Sequence, residues 1–318
     1  MTSTGIPALS RRRVLIALGA AALGAAGPMR AVAGPATQRP TGAATALAFD
    51  QGKLVLAAAG IWTSTDGGAH FLPRSHGPGT AVAALATHPD LAGVIYAATA
   101  SGLLRSVDAG LSWEGAGPGL PATPLDAVAI AAHDPQIIYV AVRGDGLWQS
   151  KDGAKSWDFA MDRPLVDKVE VDVQALASVG SLSGMGGYWV YAGTSKGVSK
   201  IPDCFCRWQS VEISTAMGDL TKSAKPAPTE PVLRLPHLSV RSLVSAPSTP
   251  EVLFAGLPNG IWKTTDAGLT WAMADARLSS PVLAVDPLEP NHVVATDAGG
   301  TMLSSRDSGT TWSDLSVA

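Results

Sequence analysis

The stretch Gly260–Trp271, which reads GIWKTTDAGLTW, decides the fold of this chain. It runs from a short apolar segment through an acidic turn with a glycine to a tryptophan that starts the next strand. We call its shared core, Ser/Thr-x-Asp-x-Gly-x-Ser/Thr-Trp, the box turn. Further copies, each closely matching this core, lie at Trp62–Phe71, Leu104–Trp113, Trp148–Trp157 and Leu303–Trp312. Such repetition indicates a repeated supersecondary unit.

A sixth copy, Ile201–Trp208, is degenerate. It keeps Asp203 and Trp208 at the right spacing, but the serine, the glycine and the second hydroxyl are gone, and Cys204 and Cys206 appear instead. The final aromatic residues of the six copies are Phe71, Trp113, Trp157, Trp208, Trp271 and Trp312. Intervals of about 40 to 60 residues match the period of a propeller blade.

Each box turn closes a unit of four short apolar strands, and no repeat contains an amphipathic helical pattern. Six such units predict an all-β fold, a six-bladed β-propeller of four-stranded antiparallel blades over residues 43–318. Because every repeat contains all four strands, we expect no strand to be exchanged between blades at the two chain ends.

The residue types of the box turn suit a structural role. The aspartate can accept hydrogen bonds from backbone N–H groups just downstream, the glycine allows a positive φ, and the hydroxyl adds a local bond. The tryptophan can pack between blades. The alternative is catalysis or Ca²⁺ binding by these carboxylates. We assign structural roles to Asp66, Asp108, Asp152, Asp203, Asp266, Asp307, Trp113, Trp157, Trp208, Trp271 and Trp312.

Composition narrows the function classes. The chain has 318 residues, a net charge of -3, 15% charged residues and 46% hydrophobic residues, as expected for a globular protein with a large core. The near-neutral charge argues against a nucleic-acid partner, which normally requires a basic face. The sequence lacks a dinucleotide glycine motif, a phosphate loop and a nucleophile elbow, so we predict no cofactor, no metal site and no catalytic residue.

The first 33 residues read as an export signal. Ser10–Ile16 contains the twin-arginine pattern, and the apolar run Val14–Gly27 is shorter than the roughly 20 residues that cross a bilayer. Small residues at Ala31–Ala33 suggest cleavage after Ala33. We expect a periplasmic or secreted protein with a flexible leader at residues 34–42 and no membrane span after cleavage. The alternative is a weakly hydrophobic anchor.

Candidate binding residues lie on one face of the predicted propeller. The loops between second and third strands and the blade-to-blade connections share a face, which we call the loop face, while the box turns lie on the opposite box face. The candidates are Arg74, His76, Arg143, Asp145, Asp162, Arg163, Asp167, Lys168, Arg277 and Asp297. The recurring arginines predict a patch for an acidic partner or a carboxylated sugar, and solvated loop charges are the alternative.

Two further features follow the fourth blade's third strand. An insert at about 209–237, rich in Lys, Pro and Ala, is either a lid or docking arm on the loop face or a tolerated insertion. Cys204 and Cys206 allow a disulfide, free buried thiols, or a thiolate pair for a soft metal, in that order of preference.

The box turns resemble the Asp-box, or bacterial neuraminidase repeat, of β-propellers, and the chain is similar to YVTN/BNR-like proteins. Sialidases share only the boxes, because an Arg-Ile-Pro motif is missing here and the tyrosines lie in or beside second strands. Over residues 43–318 the repeat looks most like the exported photosystem II assembly/stability factor family. This resemblance implies a non-catalytic propeller that binds a protein partner or assists complex assembly. The alternative is a glycan-binding or glycan-cleaving propeller.

Overall fold

The structure, a computed structural model, describes residues 40–74, 77–184, 186–211 and 234–315. These ranges contain strands, turns and loops with no helix, and hence none with the length and apolar character needed to cross a membrane. The predictions for the signal peptide, most of the leader, His76 and most of the insert fall outside the described residues.

The predicted six-bladed β-propeller is confirmed, because the chain forms six antiparallel four-stranded sheets. Each sheet uses four strands that are consecutive in sequence, so no strand is exchanged between blades among the described residues. Blade 1 contains β1 (Ala46–Asp50), β2 (Lys53–Ala57), β3 (Ile61–Ser64) and β4 (Leu72–Pro73). Blade 2 contains β5 (Val82–Ala86), β6 (Ile95–Thr99), β7 (Gly102–Ser106) and β8 (Glu114–Gly115). Blade 3 contains β9 (Leu125–Ala131), β10 (Asp134–Val142), β11 (Gly146–Ser150) and β12 (Asp158–Asp162).

The second half of the ring repeats this order after a small hairpin formed by β13 (Leu165–Val166) and β14 (Val169–Glu170). Blade 4 contains β15 (Val173–Leu182), β16 (Tyr188–Thr194), β17 (Gly197–Pro202) and β18 (Gln209–Ser210). Blade 5 contains β19 (Ser242–Ser245), β20 (Leu253–Leu257), β21 (Gly260–Thr264) and β22 (Ala272–Asp275). Blade 6 contains β23 (Val282–Val285), β24 (Val293–Thr296), β25 (Met302–Ser305) and β26 (Ser313–Asp314).

Two local features differ from the sequence analysis. The β13–β14 hairpin was not predicted, because its turn residues, Asp167 and Lys168, adopt positive φ of 52° and 65° without the Asn or Gly that usually marks such a turn. The insert was expected to begin at residue 209, but Gln209 and Ser210 pair with β17 as the outer strand of blade 4.

The core lies between neighbouring blades, and the first and second strands together supply most of it. Each second strand carries a completely buried aliphatic side chain at the same place: Leu54, Ile95, Ile138, Val190, Leu253 and Val293. Because a blade is covered on both faces, its inner strands are continuous apolar runs without polar alternation, as in sheets buried on both sides.

The first strands of successive blades lie side by side around a central channel, and β23 of blade 6 closes the ring against β1 of blade 1. Each first strand pairs with its second strand only, so its other edge faces the channel. Small residues let six strands converge there, and alanines recur at Ala48, Ala86, Ala129, Ala177 and Ala284. The channel contains a cavity of about 140 Å³.

The box turns are held by a repeated set of hydrogen bonds. In blade 3, the Ser150 hydroxyl donates to Asp152 at 2.9 Å and accepts from the backbone N–H of Ala154 at 2.9 Å. Asp152 also accepts from the Ser156 N–H at 2.9 Å and the Ser156 hydroxyl at 2.6 Å. Equivalent aspartate bonds are made by Asp66, Asp108, Asp266 and Asp307. The turn therefore satisfies its own backbone donors.

The degenerate turn of blade 4 is built differently. Ile201 provides no hydroxyl, and the Asp203 carboxylate accepts from the Tyr188 N–H at 2.9 Å on the neighbouring strand. Phe205 has a positive φ of 51°, and its N–H donates to the Pro202 carbonyl at 2.8 Å. The aspartate of this turn therefore bonds to β16, whereas the aspartates of the five regular turns bond within their own turns.

We expect stability to fall on acidification because of the regular box turns. Hydrogen bonds, first of all from the Ser156 hydroxyl, lower the pKa of Asp152 from 3.8 to about 2, and the pKa values of Asp108 and Asp307 fall to about 2 for the same reason. A carboxylate with a depressed folded-state pKa stabilises the fold above the unfolded value, and this contribution disappears as pH falls through the folded value. The melting temperature should therefore drop between about pH 4 and about pH 2.

Scanning calorimetry across this range tests the expectation. Asp152→Asn should be less stable than the parent near neutral pH and should show a shallower acid decline. A parent melting temperature that stays constant down to pH about 2 would contradict it.

Candidate functional site

Six equivalent positions ring the channel mouth on the loop face. Each lies one residue before the first-strand residue that pairs with the equivalent residue of its second strand. These positions, which we call the mouth ring, are Thr45, Ala83, Asp126, Gln174, Arg241 and Pro281. The long polar side chains fall on three consecutive blades, at Asp126, Gln174 and Arg241. The Ser239 hydroxyl donates to Gln174 at 2.6 Å beside them. One side of the mouth ring therefore carries charged and amide side chains, and the other side does not.

Arg241 reaches across the mouth. Its guanidinium donates to the backbone carbonyl of Thr45 at 2.7 Å, although blades 5 and 1 are not neighbours. Burial lowers the pKa of this arginine, and the Asp126 carboxylate acts in the opposite direction. A half-buried guanidinium therefore sits over the channel with Asp126 as its nearby negative charge.

Arg143 holds the other side of the same carboxylate. Its Nε lies 3.0 and 3.1 Å from the two Asp126 oxygens, and its Nη2 lies 2.5 Å from Oδ1. The hydrogen bonds with Asp126 raise the pKa of Arg143. The Asp126 side chain is only 14% exposed while that of Arg143 is 57% exposed. The carboxylate thus anchors a guanidinium that still faces solvent.

Arg163 extends this network towards blade 4. It binds Glu170 on β14 and contacts Asp172 at 3.4 Å, and both carboxylates raise its pKa. Asp172 also accepts from the Gly144 N–H at 2.9 Å, in the loop that carries Arg143. Asp172 thereby connects the loops that position Arg143 and Arg163.

The β13–β14 hairpin borders the network and presents apolar groups. Leu165 is 64% exposed and Val169 is also exposed. On the preceding strand, the half-exposed Phe159 ring meets Trp148 edge-on at 5.8 Å. The Trp148 Nε1 donates to Asp145 at 2.6 Å, which fixes the ring. Arginines and aromatic or aliphatic groups thus occur together on blade 3 and the hairpin.

No protein-family model and no curated protein matches this chain. Similar solved structures include the GH74 xyloglucanase from Xanthomonas campestris, at 20% identity and a TM-score of 0.51, over 84% of this chain and 45% of that one. The GH74 enzyme from Niastella koreensis gives 17% identity and a TM-score of 0.50, over 85% and 46%. The structure of YCF48 bound to D1 peptide shows 17% identity and a TM-score of 0.49, over 87% of this chain and 83% of that one.

The similarity to the two GH74 enzymes supports the propeller fold alone, since both identities are low. This chain spans less than half the length of the two GH74 enzymes.

Other predicted binding residues serve local structure. Arg277 binds Asp275 and Asp314, at 2.8 and 3.0 Å, and so ties blade 5 to blade 6. Asp297 accepts from the N–H groups of its own loop, at Gly299 and Thr301. No contact joins Arg277 to the Arg143 network in the described part of the chain.

The remaining predicted residues are spread over the loop face. Asp167 and Lys168 form the hairpin turn, and Asp167 lies 3.8 Å from the Lys196 ammonium. The Asp162 side chain is exposed, and its backbone carbonyl accepts from Trp208 Nε1 at 2.7 Å. Arg74 follows β4, on the blade 1 side of the mouth. The four predicted arginines do not form one patch, because only Arg143 and Arg163 share a network.

Sequence reasoning missed the two most central charges, Asp126 and Arg241. The available signal was an alignment of the six first strands, in which polar residues replace the small or apolar residue of the other blades. That alignment needs the strand register, which no single repeat provides.

Within the described ranges, one group of acidic and histidine side chains could hold a metal ion. Ligand atoms of Asp286, Glu289 and His292 lie within 4.8 Å of one another. Burial lowers the pKa of His292, and the positive charge of Arg306 lowers it further. The Arg306 guanidinium also contacts Glu289 at 3.2 Å. The group is thus already partnered by a cation.

Proposed function

We propose that this protein is a non-catalytic binding propeller that takes a protein partner, or assists assembly of a complex, at the loop face around Arg143. One observation carries the proposal. Arg143 is more than half exposed, yet Asp126 fixes its guanidinium through several hydrogen bonds. A pre-oriented arginine loses little conformational entropy on binding and offers its remaining donors to a carboxylate.

The surroundings fit a protein interface. Arg163 adds a second fixed guanidinium, and the exposed side chains of Phe159, Leu165 and Val169 provide apolar area beside it. Binding energy in protein interfaces is concentrated in arginine and aromatic residues at the centre of the contact. An acidic segment with apolar neighbours is the partner chemistry that this surface suits.

Three carboxylates near the mouth, those of Asp126, Asp145 and Asp172, support binding over glycoside hydrolysis. Hydrolysis requires one carboxyl group free to donate a proton and a second one facing it. Asp126 is held by Arg143, Asp172 by Arg163 and Gly144, and Asp145 by Trp148. Each of these groups already has a strong partner.

Glycan binding is the second candidate, and the exposed Phe159 ring against Trp148 favours it. Aromatic faces offer a large, rigid apolar surface on which a sugar ring can lie. On this alternative the arginines would hold a carboxylated sugar.

The proposal also includes export directed by residues 1–33. N-terminal sequencing of the mature protein tests this part, because cleavage after Ala33 gives a chain that begins at Gly34.

A random-peptide display library with the purified protein as bait tests the first candidate. Enriched peptides should be acidic, and Arg143→Glu and Arg163→Glu should each weaken their binding about tenfold or more, because reversal adds like-charge repulsion. Arg306→Glu is the matched control. The Arg306 side chain is exposed in the blade 6 box turn, and the variant should bind the enriched peptides as well as the parent does.

Arg143→Gln keeps the comparison valid if charge reversal disturbs folding. Acidic peptides that bind Arg143→Glu and the parent equally well would contradict the proposal. Enrichment on a glycan array, lost in Phe159→Ala and accompanied by no peptide enrichment, would establish the second candidate instead.

A further inference from the structure

Neighbouring blades are fastened by a recurring bond from a second-strand tyrosine to the next box turn. The Tyr96 hydroxyl of blade 2 donates to the Gly153 carbonyl of blade 3 at 3.3 Å. The Tyr191 hydroxyl of blade 4 donates to the Ala267 carbonyl of blade 5 at 2.9 Å. Both acceptors directly follow the box aspartate. We call this contact the blade latch.

Blade 3 has the tyrosine but lacks the latch. Tyr139 occupies the equivalent position on β10, opposite Gln149 of β11, and is completely buried. Its hydroxyl makes no well-formed hydrogen bond within the described ranges, and Gln149 supplies the only polar side chain that approaches it closely enough to oppose the effect of burial. Burial, followed by the charge of Asp203, raises the pKa of Tyr139, so the group stays protonated. The acceptor at the latch position of blade 4 would be the carbonyl of Cys204.

That carbonyl is approached by a thiol. Cys206 Sγ lies 3.8 Å from the Cys204 carbonyl oxygen, to which it donates. The two sulfur atoms are 2.6 Å apart, both side chains are exposed, and no disulfide joins them. Phe205, between the two cysteines, meets the Tyr139 ring edge-on at 5.9 Å. The cysteine turn and Tyr139 are therefore in direct contact.

We propose that Cys204 and Cys206 form a thiol–disulfide exchange site for small-molecule disulfides, and that oxidation fastens blade 3 to blade 4 through Tyr139. Once Cys206 loses its S–H, it can no longer donate to the Cys204 carbonyl. The turn then closes on the Tyr139 hydroxyl, as the regular box turns close on Tyr96 and Tyr191.

The chemistry balances with glutathione disulfide as the oxidant. The Cys204 thiolate attacks one sulfur, forming a mixed disulfide and releasing one glutathione. The Cys206 thiolate then attacks the Cys204 sulfur, forming the intramolecular disulfide and releasing the second glutathione. The two thiol protons end on the two glutathiones, whose disulfide takes up the two electrons. The hydrogen bond with Cys204 raises the pKa of Cys206, which leaves Cys204 as the first nucleophile.

The bond should be readily reversible. A disulfide between residues two apart closes a very short loop, so it gains little from restricting the unfolded chain. Exposure gives small thiols access to both sulfurs. These properties suit a redox-responsive contact better than a permanent cross-link.

Equilibration of the intact chain in buffers of varying glutathione and glutathione disulfide tests the proposal. In oxidising buffer, mass spectrometry should show the loss of two hydrogens and no uptake of iodoacetamide, and dithiothreitol should reverse both. The oxidised protein should melt about 1–4 °C higher, the effect of one added hydrogen bond in a domain of this size.

Two tyrosine variants separate the latch from a general effect of cross-linking. Tyr139→Phe should form the disulfide normally but show no rise in melting temperature on oxidation. Tyr191→Phe, which removes a latch made independently of the cysteines, should melt lower in both redox states and keep the difference between them. The melting temperature of Cys206→Ser should not depend on the ratio of glutathione to glutathione disulfide.

Each result decides a specific step. Full alkylation of both cysteines in oxidising buffer would overturn the exchange site. Normal disulfide formation with the same temperature rise in Tyr139→Phe as in the parent would overturn the latch.

Discussion

Replacing Trp271 by alanine should lower the free energy of unfolding by about 3–5 kcal/mol, the usual cost of removing a large buried aromatic side chain. Trp271 is 2% exposed, and its Nε1 donates to the Gly268 carbonyl of its own box turn at 3.0 Å. It packs with Tyr191, Val211 and Leu235 between blades 4 and 5. The variant would leave a cavity bounded by two rigid sheets, which can collapse only in part.

Urea denaturation followed by circular dichroism measures this loss. Trp113→Ala is the matched control, because Trp113 ends the blade 2 box turn but is only partly buried, and its Nε1 has no partner in the described chain. Trp113→Ala should lower the free energy of unfolding clearly less than Trp271→Ala does. Equal losses in both variants would show that burial between blades does not set the contribution of these tryptophans.

Gly256→Ala should destabilise the protein by about 3 kcal/mol, at the upper end of the usual cost of overpacking. Gly256 lies on β20 of blade 5, and a Cβ there would stand 2.0 Å from the Pro281 carbonyl of blade 6. The obstacle is backbone, so no side-chain rotation relieves the clash. The two blades would have to separate.

Gly115→Ala provides the comparison. Gly115 is also a strand glycine, on β8, and a Cβ added there meets no atom within 4 Å. Its stability should remain within about 0.5 kcal/mol of the parent, as for most surface changes. A comparable loss at both positions would mean that the contact with Pro281 does not account for the loss at Gly256.

The fold could be predicted from sequence because its information is local. Each box turn lies within eight residues, and Ser150, Asp152 and Ser156 complete most of their hydrogen bonds within that span. Repetition then supplied the blade number. No long-range pairing had to be inferred, since every sheet uses consecutive strands.

The candidate site was harder to predict because it depends on strand register and on contacts between blades. Arg241 meets the carbonyl of Thr45 only through the ring geometry, whereas Arg143 meets Asp126 through the register of β9 and β10 within blade 3. The sequence pointed to Arg143 and Arg163 as loop arginines. It gave no indication that Asp126 would hold one of them, or that Arg277 would instead join blades 5 and 6.

The consecutive-strand blades also bear on how this ring can diverge during evolution. Where a propeller completes a blade with strands from both chain ends, that blade depends on both ends at once. Here each sheet is self-contained in the described residues, and blade 6 packs against blade 1 without sharing a strand with it. A duplication or deletion of one repeat would therefore leave every remaining sheet intact. The same independence explains how blade 4 could exchange its box chemistry for Cys204 and Cys206 while five regular turns persisted.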